Sequence, residues 1–167
     1  MRTKSKIRIR QATMEDAGSL LAIYKPIVEN TAMSFELLAP TESEIAARIE
    51  SSVEKFEWLV MECDDILCGF AYATAHRARK AYRHSVETSI YIREGYQHRG
   101  YGKRLYNALF ESLGNLNFHS AYAGIALPNE RSIALHKSVG FQFIGIFHEV
   151  GFKFNSWHDV SWWERRI

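Results

Sequence analysis

At 167 residues, with 47% hydrophobic and 24% charged side chains, the chain is expected to form one domain, residues 1–167, with a sizeable core. A net charge of +2 without a dense basic stripe argues against nucleic acid as a partner, and no apolar run nears the ~18 residues of a membrane helix. Two cysteines, Cys63 and Cys68, fit no zinc or redox spacing, so free thiols in a reducing, cytoplasmic setting are expected. The opening MRTKSKIRIR is basic but leads into alternation rather than an apolar stretch, so no secretory leader is expected.

In chain order, residues 7–10 alternate apolar and charged side chains, as a half-buried strand does. Apolar residues at helical spacing predict a helix over 14–28, with Pro26 bending it or marking its last turn. Residues 30–40, with Phe35, read as an irregular loop. Thr41 and Glu44 form a capping-box pattern that opens a helix to about residue 55. Strands over 58–63 and 66–75, joined by Asp64 and Asp65, predict a hairpin. HRARKAYRH, residues 76–84, is basic and aperiodic and reads as a loop. Residues 86–92 form a third strand, 100–113 a helix, 119–127 a strand, and 129–139 a helix stopped by Gly140. Strands over 141–147 and around 159–164 complete a mixed α/β domain.

The junction YIREGYQHRGYGKRLYNALF carries the strongest local signal. Glycines between a strand and a helix cost stability unless the backbone needs freedom there. Backbone N–H groups at a helix N-terminus, with the helix dipole behind them, form an anion site, and glycines let the turn curl around a phosphate. The same residues also suit a plain tight turn. No Walker loop is present, and the dinucleotide fingerprint fails because Leu105 stands where its third glycine belongs.

Gln97-His98-Arg99-Gly100-Tyr101-Gly102 resembles the Q/R-x-x-G-x-G/A signature of the GNAT N-acetyltransferase superfamily, and Asn129, Leu135, Gly140 and Phe141 resemble the family's downstream segment. Met33-Ser34-Phe35, VETSIYI at 86–92, GIALPN at 124–129, Leu135-His136 and Trp157-His158-Asp159-Val160 resemble the phosphinothricin and methionine sulfoximine acetyltransferase subfamily. The resemblance covers nearly the whole chain. It implies a GNAT fold, a mixed twisted sheet of about six to seven strands flanked by helices, and a homodimer. It also implies acetyl transfer from acetyl-CoA to the α-amino group of a small amino-acid analogue. The segment with Trp157, His158 and Asp159 lacks metal-ligand spacing, so no metal is expected.

Acetyl transfer to an ammonium group needs a base, because a protonated amine has no lone pair. Glu87, inside an otherwise apolar and hydroxyl-bearing strand, is the candidate, and the resemblance assigns a glutamate here that role. On residues alone it also suits a solvent-facing strand position or an ion pair with Arg79 or Arg83. The resemblance implies that Ile90, Tyr91 and Ile92 offer backbone groups to the pantetheine arm. It places the pyrophosphate on Arg99, Gly100, Tyr101, Gly102 and Lys103, with Arg104 better read as a solvated helical residue. His136 stands where a tyrosine proton donor is common in the superfamily; it suits CoA contact, proton donation as imidazolium, or packing. Asn129 suits a cofactor contact or a helix N-cap. Arg79, Tyr82 and Phe35 are implied as acceptor-pocket residues, with Arg79 matching a carboxylate through its fork of donors. Trp157, Trp162 and Trp163 suit packing or an interface rather than chemistry. The substrate loop leaves room for a different amine or a peptide N-terminus as acceptor, or for a CoA-binding module without turnover.

Overall fold

A computed structural model describes residues 6–167; the basic start, residues 1–5, lies outside them. Seven strands form one sheet in the order β1-β2-β3-β4-β5-β7-β6. They are β1 (Ile7–Gln11), β2 (Trp58–Cys63), β3 (Ile66–Ala75), β4 (Ser85–Ile92), β5 (Ser120–Ala126), β6 (Gln142–Lys153) and β7 (Ser156–Arg166). Four α-helices accompany them: α1 (Ala17–Asn30), α2 (Glu42–Val53), α3 (Tyr101–Asn115) and α4 (Glu130–Ser138).

Local chemistry accounts for most boundaries. Thr41 accepts from the Glu44 N–H at 3.2 Å while Glu44 accepts from the Thr41 N–H at 2.6 Å, the reciprocal box that starts α2. Pro26 opens the last turn of α1. Asp64 and Asp65 both take left-handed backbone, φ 50° and 64°, as a two-residue hairpin turn requires.

Apolar side chains on the two faces of the sheet build two cores. On one face α3 buries Leu105, Leu109 and Leu113 against Met61, Ala71 and Val86. On the other α1 and α2 bury Leu20, Val28, Ile45 and Ile49 against Trp58, Val60 and Phe70.

The sequence reading needs correction at the C-terminal end. β6 and β7 run well beyond 141–147 and 159–164 and pair as a long hairpin around Phe154 and Asn155, both left-handed. Their register shifts between Phe143 and Gly145 and between Phe147 and Gly151, and these irregularities break the alternation that marks a strand. The basic 76–84 loop also holds one short 3-10 turn, Lys80–Tyr82.

Among the described residues only β4 and β5 pair in parallel, joined by the crossover helix α3. They pair at Ser85–Ser120, Val86–Ala121 and Glu87–Tyr122 and then diverge. Beyond that point each keeps its outer neighbour: β4 runs alongside β3 as far as Ile92, and β5 alongside β7 as far as Ala126.

Candidate active site

Where β4 and β5 separate, a cavity of about 590 Å³ opens. Thr88, Ser89, Ile90, Tyr91 and Ile92 line one side, and Gly124, Ile125 and Ala126 the other. The turn residues Gln97, His98, Gly100, Tyr101, Gly102 and Lys103 close one end, with Asn129, Leu135 and His136 from the α4 region. Backbone groups on the inner edge of β4 therefore face a cleft instead of a neighbouring strand, a surface able to accept an extended ligand as an added strand.

The two signature glycines serve different ends. Gly100 is the N-cap of α3 with φ 76°, a left-handed conformation that L side chains adopt at a cost of roughly 1–2 kcal/mol. His98, at φ 61°, is left-handed as well, and the chain curls so that the N-terminus of α3 opens on the cavity. Gly102 instead secures helix packing: a Cβ there would lie 3.0 Å from Leu135 Cδ2. The concave turn, the helix N-terminus behind it and Lys103 at its rim fit a diphosphate. Arg99 turns away, donating to the Gly95 carbonyl at 2.8 Å and lying 5.2 Å from the Tyr96 ring centroid, so its side chain does not line the cavity. Tyr101 keeps its side chain in the core.

Glu87 is the last β4 residue paired with β5 and so stands at the apex of the cleft. Its partner is neither Arg79 nor Arg83. Oε1 lies 3.0 Å from Nδ1 of His76, a residue the aperiodic 76–84 segment gave no reason to select. Tyr82 joins this group, its ring centroid 5.8 Å from that of His76. Arg79 is exposed on the same loop. Phe35 lies elsewhere, against Gly151 and 6.1 Å from the His158 ring, while Met33 from the same loop lines the cavity. Buried Lys153 ties that loop down by donating to the Val28 and Ser34 carbonyls at 2.6 and 2.7 Å.

His136 is buried and its two ring nitrogens have opposite duties. Nδ1–H donates to the Ser132 carbonyl at 2.7 Å, which leaves Nε2 to accept from the Tyr106 hydroxyl at 3.0 Å. Burial lowers its pKa from the ordinary histidine value and outweighs the Ser132 carbonyl, which raises it, so the neutral ring is favoured over imidazolium. Burial likewise raises the Tyr106 phenol well above its ordinary value. Tyr106 lines the cavity but, lying among the apolar positions of α3, carries no sequence mark that separates it from core. Asn129 fills both expected places: it lines the cavity and its Oδ1 caps α4 by accepting from the Ser132 N–H at 3.2 Å.

A second concavity, of about 700 Å³, lies beside the β6–β7 hairpin and is lined by His148, Trp157, His158 and Asp159 among others. Among the described residues no three histidine, cysteine, aspartate or glutamate side chains gather as a metal ion would require. No helix there is long and apolar enough to cross a membrane.

Residues 9–162 match the acetyltransferase (GNAT) domain model. The chain belongs to the GNAT acetyltransferase family. It is 36% identical over 167 residues to a phosphinothricin N-acetyltransferase of Streptomyces coelicolor, covering 98% of each chain. It is 28% identical to an L-methionine sulfoximine/L-methionine sulfone acetyltransferase of Salmonella typhimurium, over 95% of this chain and 94% of that one. A GNAT superfamily phosphinothricin acetyltransferase from Sinorhizobium meliloti, solved with acetyl-CoA, superimposes with a TM-score of 0.91 at 32% identity, covering 96% of this chain and 88% of that one. GNAT enzymes take their acetyl group from acetyl-CoA, and the cleft and anion turn fit that donor.

Crowding at the turn yields a test. Gly102→Val should push α3 and α4 apart and weaken acetyl-CoA binding in a calorimetric titration by about tenfold, the equivalent of ~1.4 kcal/mol. Adding Leu135→Ala should restore part of that loss; unchanged affinity in Gly102→Val would show that the close approach is dispensable.

Proposed function

We propose that this acetyltransferase acts on the α-amino group of a small amino-acid analogue, phosphinothricin, methionine sulfoximine or methionine sulfone, with Glu87 as general base. The observation that carries the reading is the position of Glu87 at the apex of the β4–β5 cleft. The relatives named for such acceptors, matched along nearly their full length, support the substrate class.

In this reading the inner edge of β4 at Ile90, Tyr91 and Ile92 binds the pantetheine arm through backbone hydrogen bonds. Backbone N–H groups of residues 98–102 hold the pyrophosphate, with Lys103 adding charge and Asn129 contacting the arm. Acetyl-CoA supplies an activated thioester. Glu87 removes a proton from the acceptor ammonium, freeing the nitrogen lone pair for attack. Side chains alternate along β4, so Glu87 shares its face with Tyr91, which packs with the α1–α2 core. Ile90 and Ile92 pack with the α3 core. The base thus lies on the side of the sheet opposite α3, where Arg79 and Tyr82 would receive the acceptor carboxylate; Phe35, packed against Gly151, stands apart from this group. His136 serves as a neutral ring that orients the Tyr106 hydroxyl beside the cleft.

We also read the protein as a homodimer in the cytoplasm. Phe143, Phe147, Phe152, Phe154 and Trp157 on the β6–β7 hairpin are each more than half exposed, and a second copy of the chain is the cover that the subfamily resemblance favours. The Sγ atoms of Cys63 and Cys68 are 2.7 Å apart and buried, and a reducing compartment keeps such a pair as thiols.

Thiol release from acetyl-CoA, measured with phosphinothricin, methionine sulfoximine, methionine sulfone, ordinary amino acids and a peptide amine, tests the assignment. The first three should give saturable turnover, and Glu87→Gln should lower kcat by about 10² to 10⁴ with little change in acetyl-CoA affinity. Turnover only with the peptide amine would reassign the acceptor, and undiminished turnover in Glu87→Gln would remove the base. For the dimer, sedimentation at micromolar concentration should give twice the chain mass, falling to one chain in Phe147→Glu/Phe152→Glu; a wild-type monomer would refute it.

A further inference from the structure

We infer that His76 is a positioning residue for the acetyl-transfer reaction: its Nδ1–H fixes the Glu87 carboxylate at the apex of the cleft. The inference rests on the reading of Glu87 as base. His76 directly follows β3, and its backbone N–H donates to the Ser85 carbonyl at 3.3 Å, so the residue is docked onto the start of β4. Its ring stacks on Tyr122 of β5, centroids 4.5 Å apart and planes at 22°, and meets the edge of Tyr82. Tyr122 is the residue paired with Glu87 at the last rung before the strands part. One imidazole therefore touches the ends of three strands where the cleft begins, and its ring plane is set by aromatic neighbours.

The proton position follows from chemistry. An ionised carboxylate has lone pairs only, so a nitrogen held 3.0 Å from Oε1 must carry the hydrogen. Nδ1–H thus occupies Oε1 and leaves Oε2 with no hydrogen-bond partner among the described residues. Oε2 is the atom available to an incoming ammonium group. In the step, the substrate N–H bond breaks, an O–H bond forms at Oε2, and the electron pair stays on nitrogen for attack on the thioester carbonyl. His76 neither gives nor takes a proton. It removes the rotational freedom of the carboxylate, and misplacing a reacting group by about 1 Å can cost on the order of 10² in rate. Glu87 is partly exposed and returns its proton to solvent.

Three variants separate the donor from the packing. His76→Phe keeps a ring on Tyr122 and removes the N–H; His76→Leu removes both; His76→Asn places an amide donor near the site of Nδ1. With phosphinothricin and acetyl-CoA, His76→Phe and His76→Leu should each lower kcat about ten- to a hundredfold with acetyl-CoA KM within about twofold, and His76→Asn should recover most of the loss. In a Glu87→Gln background, His76→Phe should cost less than about twofold more, because the two act as one unit. Independently of any acceptor, the ¹⁵N spectrum of the imidazole should show His76 Nδ1 protonated in the wild type. Full activity in His76→Phe with a disabled Glu87→Gln would overturn this inference and leave the base intact, whereas a fully active Glu87→Gln would overturn the base itself. An unprotonated Nδ1, or equal losses from His76→Phe in both backgrounds, would also overturn the positioning role.

Discussion

Two parallel strands that pair for three residues and then separate leave inward-facing N–H and C=O groups on both edges without ladder partners. Such groups are costly to bury unless something else bonds them. The rest of the molecule holds the strands apart in spite of that. β4 is fastened along its outer edge to β3, β5 to β7, and α3 crosses beneath from the end of one to the start of the other. The cleft is thereby a rigid, strand-shaped vacancy in hydrogen bonding, suited to a ligand with its own amide groups. Acetyl-CoA carries such amides in its pantetheine arm.

The divergence also orders the chemistry. The crossover that makes β4 and β5 parallel must begin at the C-terminal end of β4, so the glycine turn and the N-terminus of α3 fall at the mouth of the same cleft. An anion site and an open strand edge thus arise from one topological choice. Glu87 lies at the closed end, where the last rung holds the backbone of both strands and the residue stays fixed while the cleft fills. The strand alternation then puts the carboxylate on the face away from α3. On the proposed reading, donor binding at Ile90–Ile92 and amine deprotonation at Glu87 fall on one strand, three to five residues apart.

Local signals made much of this readable. The capping box at Thr41 and Glu44, the Asp64-Asp65 turn and the glycine junction each depend on residues within a few positions of one another, so their spacing carries the geometry. The role of Gly100 was legible as backbone freedom. That of Gly102 was not, because its neighbour Leu135 belongs to another helix. His76 was hidden for a similar reason: its approach to Glu87 depends on the β3–β4 register, and the basic loop around it has no period to read. Tyr106 was indistinguishable from core in the helical pattern of α3, though its hydroxyl meets His136 thirty residues on. The length of the β6–β7 hairpin was obscured by glycines and register shifts, and by apolar side chains that point to solvent rather than into the core.

Amide hydrogen exchange with and without saturating acetyl-CoA addresses the cleft most directly. The account predicts slowed exchange concentrated at Ile90–Ile92 on the inner edge of β4 and at residues 98–103 of the turn, with β1, β2 and the β6–β7 hairpin unchanged. Saturated binding that leaves both segments exchanging at their free rates would contradict it.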